Sequence, residues 1–178
     1  MALSKEETEF AFEEYKTLRE EISKKQDNHY KILSLGVGGI TLLFGFVFEY
    51  NINKLFIVMP FLIIANNSLY LAEKIAMIKV GKYIEKLEEN LYSEKRVLGW
   101  QHFIKIRDYK TFDLVAMIIF FSLFVFSLIN GLIFICGSDI ILSKNMRIII
   151  SVCYMFFTLI LYTFILINYF KEVYYEKN

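Results

Sequence analysis

Four long apolar stretches, almost free of charged residues, limit the folds that are open to this chain. They cover residues 30–50, 55–72, 112–136 and 148–170. At about 1.5 Å of rise per residue, a helix over the first stretch is about 30 Å long, the thickness of a bilayer's hydrocarbon core. Hydrophobic residues make up 56% of the chain, which is more than a soluble domain of this size usually contains. The sequence therefore predicts an all-α integral membrane protein with four transmembrane helices.

Lysine and arginine are divided unequally between the two sides that these spans create. Residues 1–32, 73–111 and 171–178 together contain 17 of them, whereas the opposite side has three. Loops rich in Lys and Arg remain in the cytoplasm. We therefore expect both termini and the central segment on the cytoplasmic side.

The spans and the charged segments divide the chain into five parts. They are a cytoplasmic amphipathic helix (1–29), a hairpin of spans 1 and 2 (30–72), a cytoplasmic helical and interfacial region (73–111), a hairpin of spans 3 and 4 (112–170) and a cytoplasmic tail (171–178).

Two of these parts carry further helical signals. The N-terminal helix has a narrow apolar seam at alternating four- and three-residue spacing, which predicts packing against another helix: Ala11, Tyr15, Leu18 and Ile22. The second helix is expected to continue beyond the membrane, from Leu55 to Arg96, because no strong helix breaker occurs before Gly99. Pro60, near its start, is expected to kink or open one turn.

Enzymatic signatures are absent from the sequence. It contains no nucleophile elbow, zinc-binding helix motif, P-loop or dinucleotide fingerprint. The two histidines, His29 and His102, are expected at the surface. We predict a protein that is not an enzyme and that needs no cofactor or metal.

Polar residues inside the spans form the first candidate site. Four of them are candidates to line a pore: Asn66, Asn67, Ser68 and Asn130. An amide in hydrocarbon needs a hydrogen-bonding partner, because an unmade bond there costs several kcal/mol. The partner is either a neighbouring helix, so that the residue stabilises helix packing, or water in a conducting path.

Basic and aromatic residues of the cytoplasmic region form the second candidate site. They would bind a phosphorylated ligand, such as a nucleotide or an oligonucleotide signal, through charge and stacking: Lys82, Lys86, Lys95, Arg96, Trp100, Lys105, Arg107 and Lys110. The alternative is that these cations bind the anionic headgroups of the bilayer.

Three short motifs carry a resemblance to known proteins. They are Glu14-Tyr15-x-x-Leu18-Arg19-x-Glu21-Ile22, Ile75-x-x-Ile78-x-x-Gly81-x-Tyr83-Ile84-Glu85 and Gly99-Trp100-x-x-Phe103. With a glycine-rich first span, the chain resembles small bacterial membrane proteins that occur beside nucleotide-signalling or defence genes. It is also similar to short multi-span effectors of antiphage systems, including the membrane effector of the Hailong system. The resemblance implies an oligomeric effector of the bacterial inner membrane. It further implies that a signal made by a neighbouring enzyme controls the effector, whose spans conduct ions and depolarise the host.

Two functions from different classes remain open at this point. One is a ligand-controlled, homo-oligomeric channel with its pore at the span asparagines. The other is a non-conducting scaffold that recruits a cytoplasmic protein partner through the N-terminal seam and the helix that follows span 2. A small transporter is less well supported, because the sequence has no internal repeat or pair of broken helices.

Overall fold

The computed structural model describes residues 5–91, 110–137 and 143–175, and this part of the chain is helical throughout apart from short turns. Its elements are α1 (Lys5–Glu49), a 3₁₀ helix (Asn53–Ile57), α2 (Met59–Leu91), α3 (Lys110–Gly137) and α4 (Lys144–Tyr175). All four α-helices are long and apolar enough to cross a membrane. The predicted all-α architecture with four candidate spans is therefore confirmed.

Helix α1 combines two segments that the sequence analysis treated separately. It is a single helix of 45 residues, about 68 Å long, which is more than twice the thickness of the hydrocarbon core. The expected division at residues 29 and 30 is not a break, because no proline or turn signal occurs there. The N-terminal amphipathic segment and the first span thus form one continuous helix.

The connection between α1 and α2 is longer than the sequence suggested and contains a 3₁₀ helix. Asn51 adopts a left-handed conformation (φ 54°), which asparagine tolerates better than most residues. Residues 53–57 then form the 3₁₀ helix, so α2 begins at Met59 rather than at the expected Leu55. Pro60 consequently lies in the first turn of α2, where its missing N–H is not required. The expectation of a kink at Pro60 was wrong for this reason.

The 3₁₀ helix is held by close contacts with α3 and α4. The Tyr154 hydroxyl donates a hydrogen bond to the carbonyl oxygen of Ile57, at 3.1 Å. A Cβ atom on Gly131 would lie 2.9 Å from the carbonyl oxygen of Phe56. Glycine at position 131 therefore allows the backbone of the connection to lie directly on α3.

Helix α2 is in the middle of the bundle. It packs against α1, α3 and α4, and the fully buried Tyr70 contacts the ring of Phe120 on α3. Lys79 of α2 forms an ion pair with Glu172 of α4, at 3.1 Å. These contacts place the start of α1, the end of α2, the start of α3 and the end of α4 at one end of the bundle. We call this the charged end, and the end at the 3₁₀ helix the turn end.

The outside of the bundle is apolar. Large hydrophobic side chains are exposed on α1, α3 and α4, and Leu35 on α1 is 75% exposed. Water would disfavour such a surface, whereas hydrocarbon accommodates it without cost. The exterior therefore suits a bilayer.

We expect Gly131→Ala to destabilise the protein. The added Cβ would press on a backbone carbonyl oxygen, 2.9 Å away, that cannot rotate aside; overpacking of this kind typically costs about 1–3 kcal/mol. Thermal unfolding in detergent should show a midpoint several degrees lower than that of the wild type.

The matched control is Gly45→Ala, because a Cβ there meets nothing within 4 Å. That variant should be unchanged or slightly more stable, since alanine favours helices more than glycine does. Equal midpoints for the two variants would contradict the close packing of the 3₁₀ helix on α3.

Candidate functional site

A line of polar residues lies along the interface of α1 and α2. Tyr70 on α2 contacts His29 on α1, and Asn66 on α2 packs on Gly36 of α1. Glu73 shares the face of α2 on which Asn66 and Tyr70 lie, and its Oε2 atom is buried. We call these five residues the polar seam. The sequence analysis had singled out only Asn66 from this set as a functional candidate.

Asn66 packs directly on the backbone of α1. Its side-chain amide occupies the space that a Cβ on residue 36 would fill. Of the four glycines in the first span, only Gly36 has a neighbour at this position; a Cβ on Gly38, Gly39 or Gly45 meets nothing within 4 Å. Of these four glycines, Gly36 is thus the one at which another helix approaches closely. The Nδ2 atom of Asn66 is buried there without a hydrogen bond.

Asn67 lies in the interior of the bundle. The residue is 1% exposed, and its Oδ1 atom is buried without a hydrogen bond. Successive residues of a helix point about 100° apart, so Asn66 faces Gly36 whereas Asn67 is enclosed elsewhere in the core. Two adjacent amides therefore have unmet hydrogen-bonding capacity inside a mainly apolar bundle.

The other two candidate pore residues are satisfied by their own helices. The Ser68 hydroxyl donates to the carbonyl oxygen of Ile64 at 2.9 Å. Asn130 Nδ2 donates to the carbonyl oxygen of Phe126 at 2.8 Å. Asn130 is next to Gly131, which lies on the 3₁₀ helix at the turn end, so the structure does not bring it together with the asparagines of α2.

His29 is buried, which corrects the expectation of a surface histidine. It is 4% exposed, and its ring lies on that of Tyr70, with centroids 4.1 Å apart. The physical reason is its spacing from Gly36: seven residues separate them, so both lie on the face of α1 that packs against α2. His102 lies outside the described residues.

Glu73 was overlooked because it falls just beyond the apolar stretch. It follows Asn66 by seven residues, so the two share one face of α2. Its Oε2 atom is buried and has no hydrogen bond. The seven-residue spacing from Asn66 was the sequence signal that could have identified it.

Beyond the polar seam, two reciprocal hydrogen bonds join the charged segments of α1 and α2. Tyr15 on α1 donates to Glu88 on α2 at 3.0 Å, and Tyr83 on α2 donates to Glu14 on α1 at 2.9 Å. We call these two pairs the tyrosine clasp. The predicted apolar seam, of which Tyr15 is a member, thus packs within the chain at this position. Both helices run without interruption from the clasp to the polar seam.

Most of the predicted ligand-binding residues lie outside the part of the chain that the structure describes. This holds for Lys95, Arg96, Trp100, Lys105 and Arg107, and for the side chain of Lys110. Lys82 and Lys86 lie one turn apart on α2, where Lys82 is half-buried and Lys86 is exposed.

Comparisons with known proteins identified no relative of this chain. No protein-family model, curated protein or solved structure matches the chain. The geometry of the polar seam and the residue-level resemblance are thus the basis for a functional proposal.

We expect Gly36→Ala and Asn66→Ala to be coupled energetically. In Gly36→Ala the new methyl group displaces the Asn66 amide, which should lower the unfolding midpoint in detergent. In the double variant the shorter side chain at position 66 leaves room for the methyl group. The cost of Gly36→Ala should then fall by about 1 kcal/mol or more, the usual size of coupling between touching residues.

Gly38→Ala provides the control, because a Cβ at that position meets nothing within 4 Å. It should show no coupling to Asn66→Ala. Additive effects of Gly36→Ala and Asn66→Ala would argue against the packing of Asn66 on α1.

Proposed function

We propose that this chain is a subunit of a gated membrane channel that acts as an effector of bacterial antiphage defence. Several copies form the channel in the inner membrane. A nucleotide-derived signal made by a neighbouring enzyme opens it from the cytoplasmic side, and ion flow then depolarises the cell.

The observation that carries the proposal is the pair of unmet amides at Asn66 and Asn67. An unpaired polar atom in hydrocarbon costs several kcal/mol, so a closed bundle that contains two of them is penalised. A rearrangement that admits water between the helices removes this penalty. We therefore assign the described conformation to the closed channel. In the open, conducting channel, water reaches the two amides.

The continuity of α1 and α2 supports control from the charged end. Each helix extends from the tyrosine clasp into the spans without a break. A ligand that changes the separation of the helices at the clasp would also change it at the polar seam, since packed helices move as rigid elements. The predicted basic residues of the segment after α2 are the proposed contacts for such a ligand.

Several subunits are needed for conduction. The centre of the described bundle is filled by large side chains, including the fully buried Phe120 and Phe124. Four helices packed in this way enclose too little space for an ion path. The proposed pore therefore forms between copies, once the helices separate.

The role in defence comes from the resemblance. Its three motifs lie in α1, in α2 and in the segment after α2, the same parts to which we assign gating. Loss of membrane potential is an outcome that fits a protein in which no enzymatic motif is found.

A non-conducting scaffold is the alternative, and one observation favours it. Phe10 and Phe12, in the charged part of α1, are 70% and 57% exposed. Exposed phenylalanines in a charged segment indicate a surface that a protein partner could cover. In this case Asn66 and Asn67 would serve only in helix packing.

We expect both termini and the segment after α2 to be cytoplasmic. Green fluorescent protein fused to the C-terminus should fluoresce, and alkaline phosphatase fused there should be inactive. In intact spheroplasts an impermeant maleimide should label Lys54→Cys but not Lys86→Cys, because both positions are exposed but on opposite sides. The parent chain controls for Cys136 and Cys153; the reverse labelling pattern would invert the proposed orientation.

We expect the induced wild-type chain, expressed with its neighbouring genes during phage infection, to depolarise cells. The Asn66→Leu/Asn67→Leu variant should lose most of this effect. Leucine approximates the shape of asparagine but cannot hydrate, so the closed bundle is favoured. A voltage-sensitive dye reports the potential, and an immunoblot of membranes checks equal abundance.

Ser68→Ala is the matched control, because the Ser68 hydroxyl bonds to its own helix. It should depolarise like the wild type. A steady potential in the wild type under infection, or a strictly monomeric protein in lipid nanodiscs, would contradict the channel and favour the scaffold.

A further inference from the structure

Helix α1 carries two exposed phenylalanines far from its apolar stretch. Phe10 is 70% exposed and Phe12 is 57% exposed. The apolar stretch begins at residue 30, which is about 30 Å of helix beyond Phe10. Hydrocarbon therefore does not cover these two rings, and their contact with water is unfavourable.

The packing of α2 on α1 fixes the direction in which each ring points. Tyr15, His29 and Gly36 of α1 contact α2, and at about 100° per residue they lie within about 40° of one direction around α1. Phe10 and Phe12 are each about 100° from that direction, on opposite sides of the helix. We call these two sides of residues 6–30 the Phe10 flank and the Phe12 flank. Each consists of the residues within about 40° of its phenylalanine.

The two flanks carry opposite net charge. The charged residues of the Phe10 flank are three acids and one base, Glu6, Glu14, Glu21 and Lys24. Those of the Phe12 flank are two bases, Lys16 and Arg19. Within the chain, Glu14 accepts a hydrogen bond from Tyr83 and Glu21 pairs with Lys25. A carboxylate can accept from a further donor, so these contacts do not prevent pairing with another copy.

The bilayer sets the relative height of neighbouring copies. The same apolar stretches anchor every copy, so all copies share one orientation and one depth. Residues two positions apart in the sequence then differ in height by about 3 Å between copies, a distance that long side chains span. Three pairs across unlike flanks meet this condition: Phe10 with Phe12, Glu14 with Lys16, and Glu21 with Arg19.

Charge selects which flanks meet. Two like flanks around a twofold axis along the membrane normal would place Glu14 opposite Glu14, or Lys16 opposite Lys16, and like charges at one height repel. Unlike flanks bring opposite charges together and bury both rings, which stabilise each other as an aromatic pair. Such a contact is heterologous, so each copy presents a second flank to a further copy until the assembly closes into a ring.

We propose that the Phe10 flank of one copy binds the Phe12 flank of the next, so that identical copies associate side by side around an axis along the membrane normal. This contact deepens the proposed function, because it names the surface through which subunits of the channel associate. It rests on that function only for the presence of several copies.

Disulfide cross-linking in isolated membranes tests the contact. Phe10→Cys and Phe12→Cys are made singly and together, and copper phenanthroline oxidises the thiols. The two thiols of one copy point about 200° apart and cannot join. The double variant should therefore give a ladder of cross-linked multimers, whereas each single variant, with no new thiol opposite its own, should remain mostly monomeric.

Two controls assign the cross-link. The two single variants, expressed together with different tags, should give severalfold more mixed dimers than either gives dimers alone; the parent chain controls for Cys136 and Cys153. In the double variant, Lys16→Glu should weaken the ladder severalfold. Glu20→Lys, an exposed position between the two flanks, should leave the ladder unchanged.

Dimers of a single variant that equal the mixed dimers would indicate contact of like flanks or random collision and would overturn the proposal. Absence of a ladder would overturn it as well, and so would a cross-link to a different protein in its place. A ladder in a protein that never depolarises cells would keep the interface and refute the channel. Depolarisation without a ladder would refute the interface alone.

Discussion

The packing of the Asn66 side chain on the bare backbone of Gly36 sets the register of α1 against α2, and most of the remaining structure depends on that register. With this register His29 lies on Tyr70, and the tyrosine clasp can form. Close approach at a glycine is a common way to stabilise helix pairs in bilayers, where the hydrophobic effect does not drive helices together. Here the same contact leaves the Nδ2 atom of Asn66 without a hydrogen bond. The packing that stabilises α1 against α2 therefore also creates the unfavourable buried amide.

The two ends of the bundle differ in the kind of contact that holds the helices together. At the turn end, the 3₁₀ helix lies directly on Gly131 and accepts a hydrogen bond from Tyr154. At the charged end, the hydrogen bond of Tyr83 to Glu14 and the ion pair of Lys79 with Glu172 are exposed and contribute little in water, whereas Ile84 and Glu88 are buried. The polar seam lies between these ends. This asymmetry agrees with the proposal that the helices separate from the charged end and that water reaches Asn66 from there.

The sequence analysis misjudged His29 and overlooked Glu73 for one reason. It divided the chain at the expected membrane boundaries and treated the residues on either side separately. The boundary at residue 30 separated His29 from the span whose face it shares, and Glu73 lay beyond the apolar stretch in which polar residues were considered as candidates. Neither boundary interrupts a helix, because nothing in the local sequence stops one there. Pro60 was misjudged for a different reason: the 3₁₀ helix delays the start of α2 and leaves the proline in a first turn that tolerates it.

The sequence by itself determined the four candidate spans, the helical class and the positions at which polar groups enter the apolar stretches. These follow from hydropathy and helical period, which are local properties. Only the tertiary structure decided which faces meet. Gly36 and Asn66 are thirty residues apart, and Tyr15 and Glu88 are 73 apart, so no local pattern specifies their contact. For the same reason the two adjacent asparagines look alike in the sequence, whereas the packing of α1 on α2 gives Asn66 and Asn67 different surroundings.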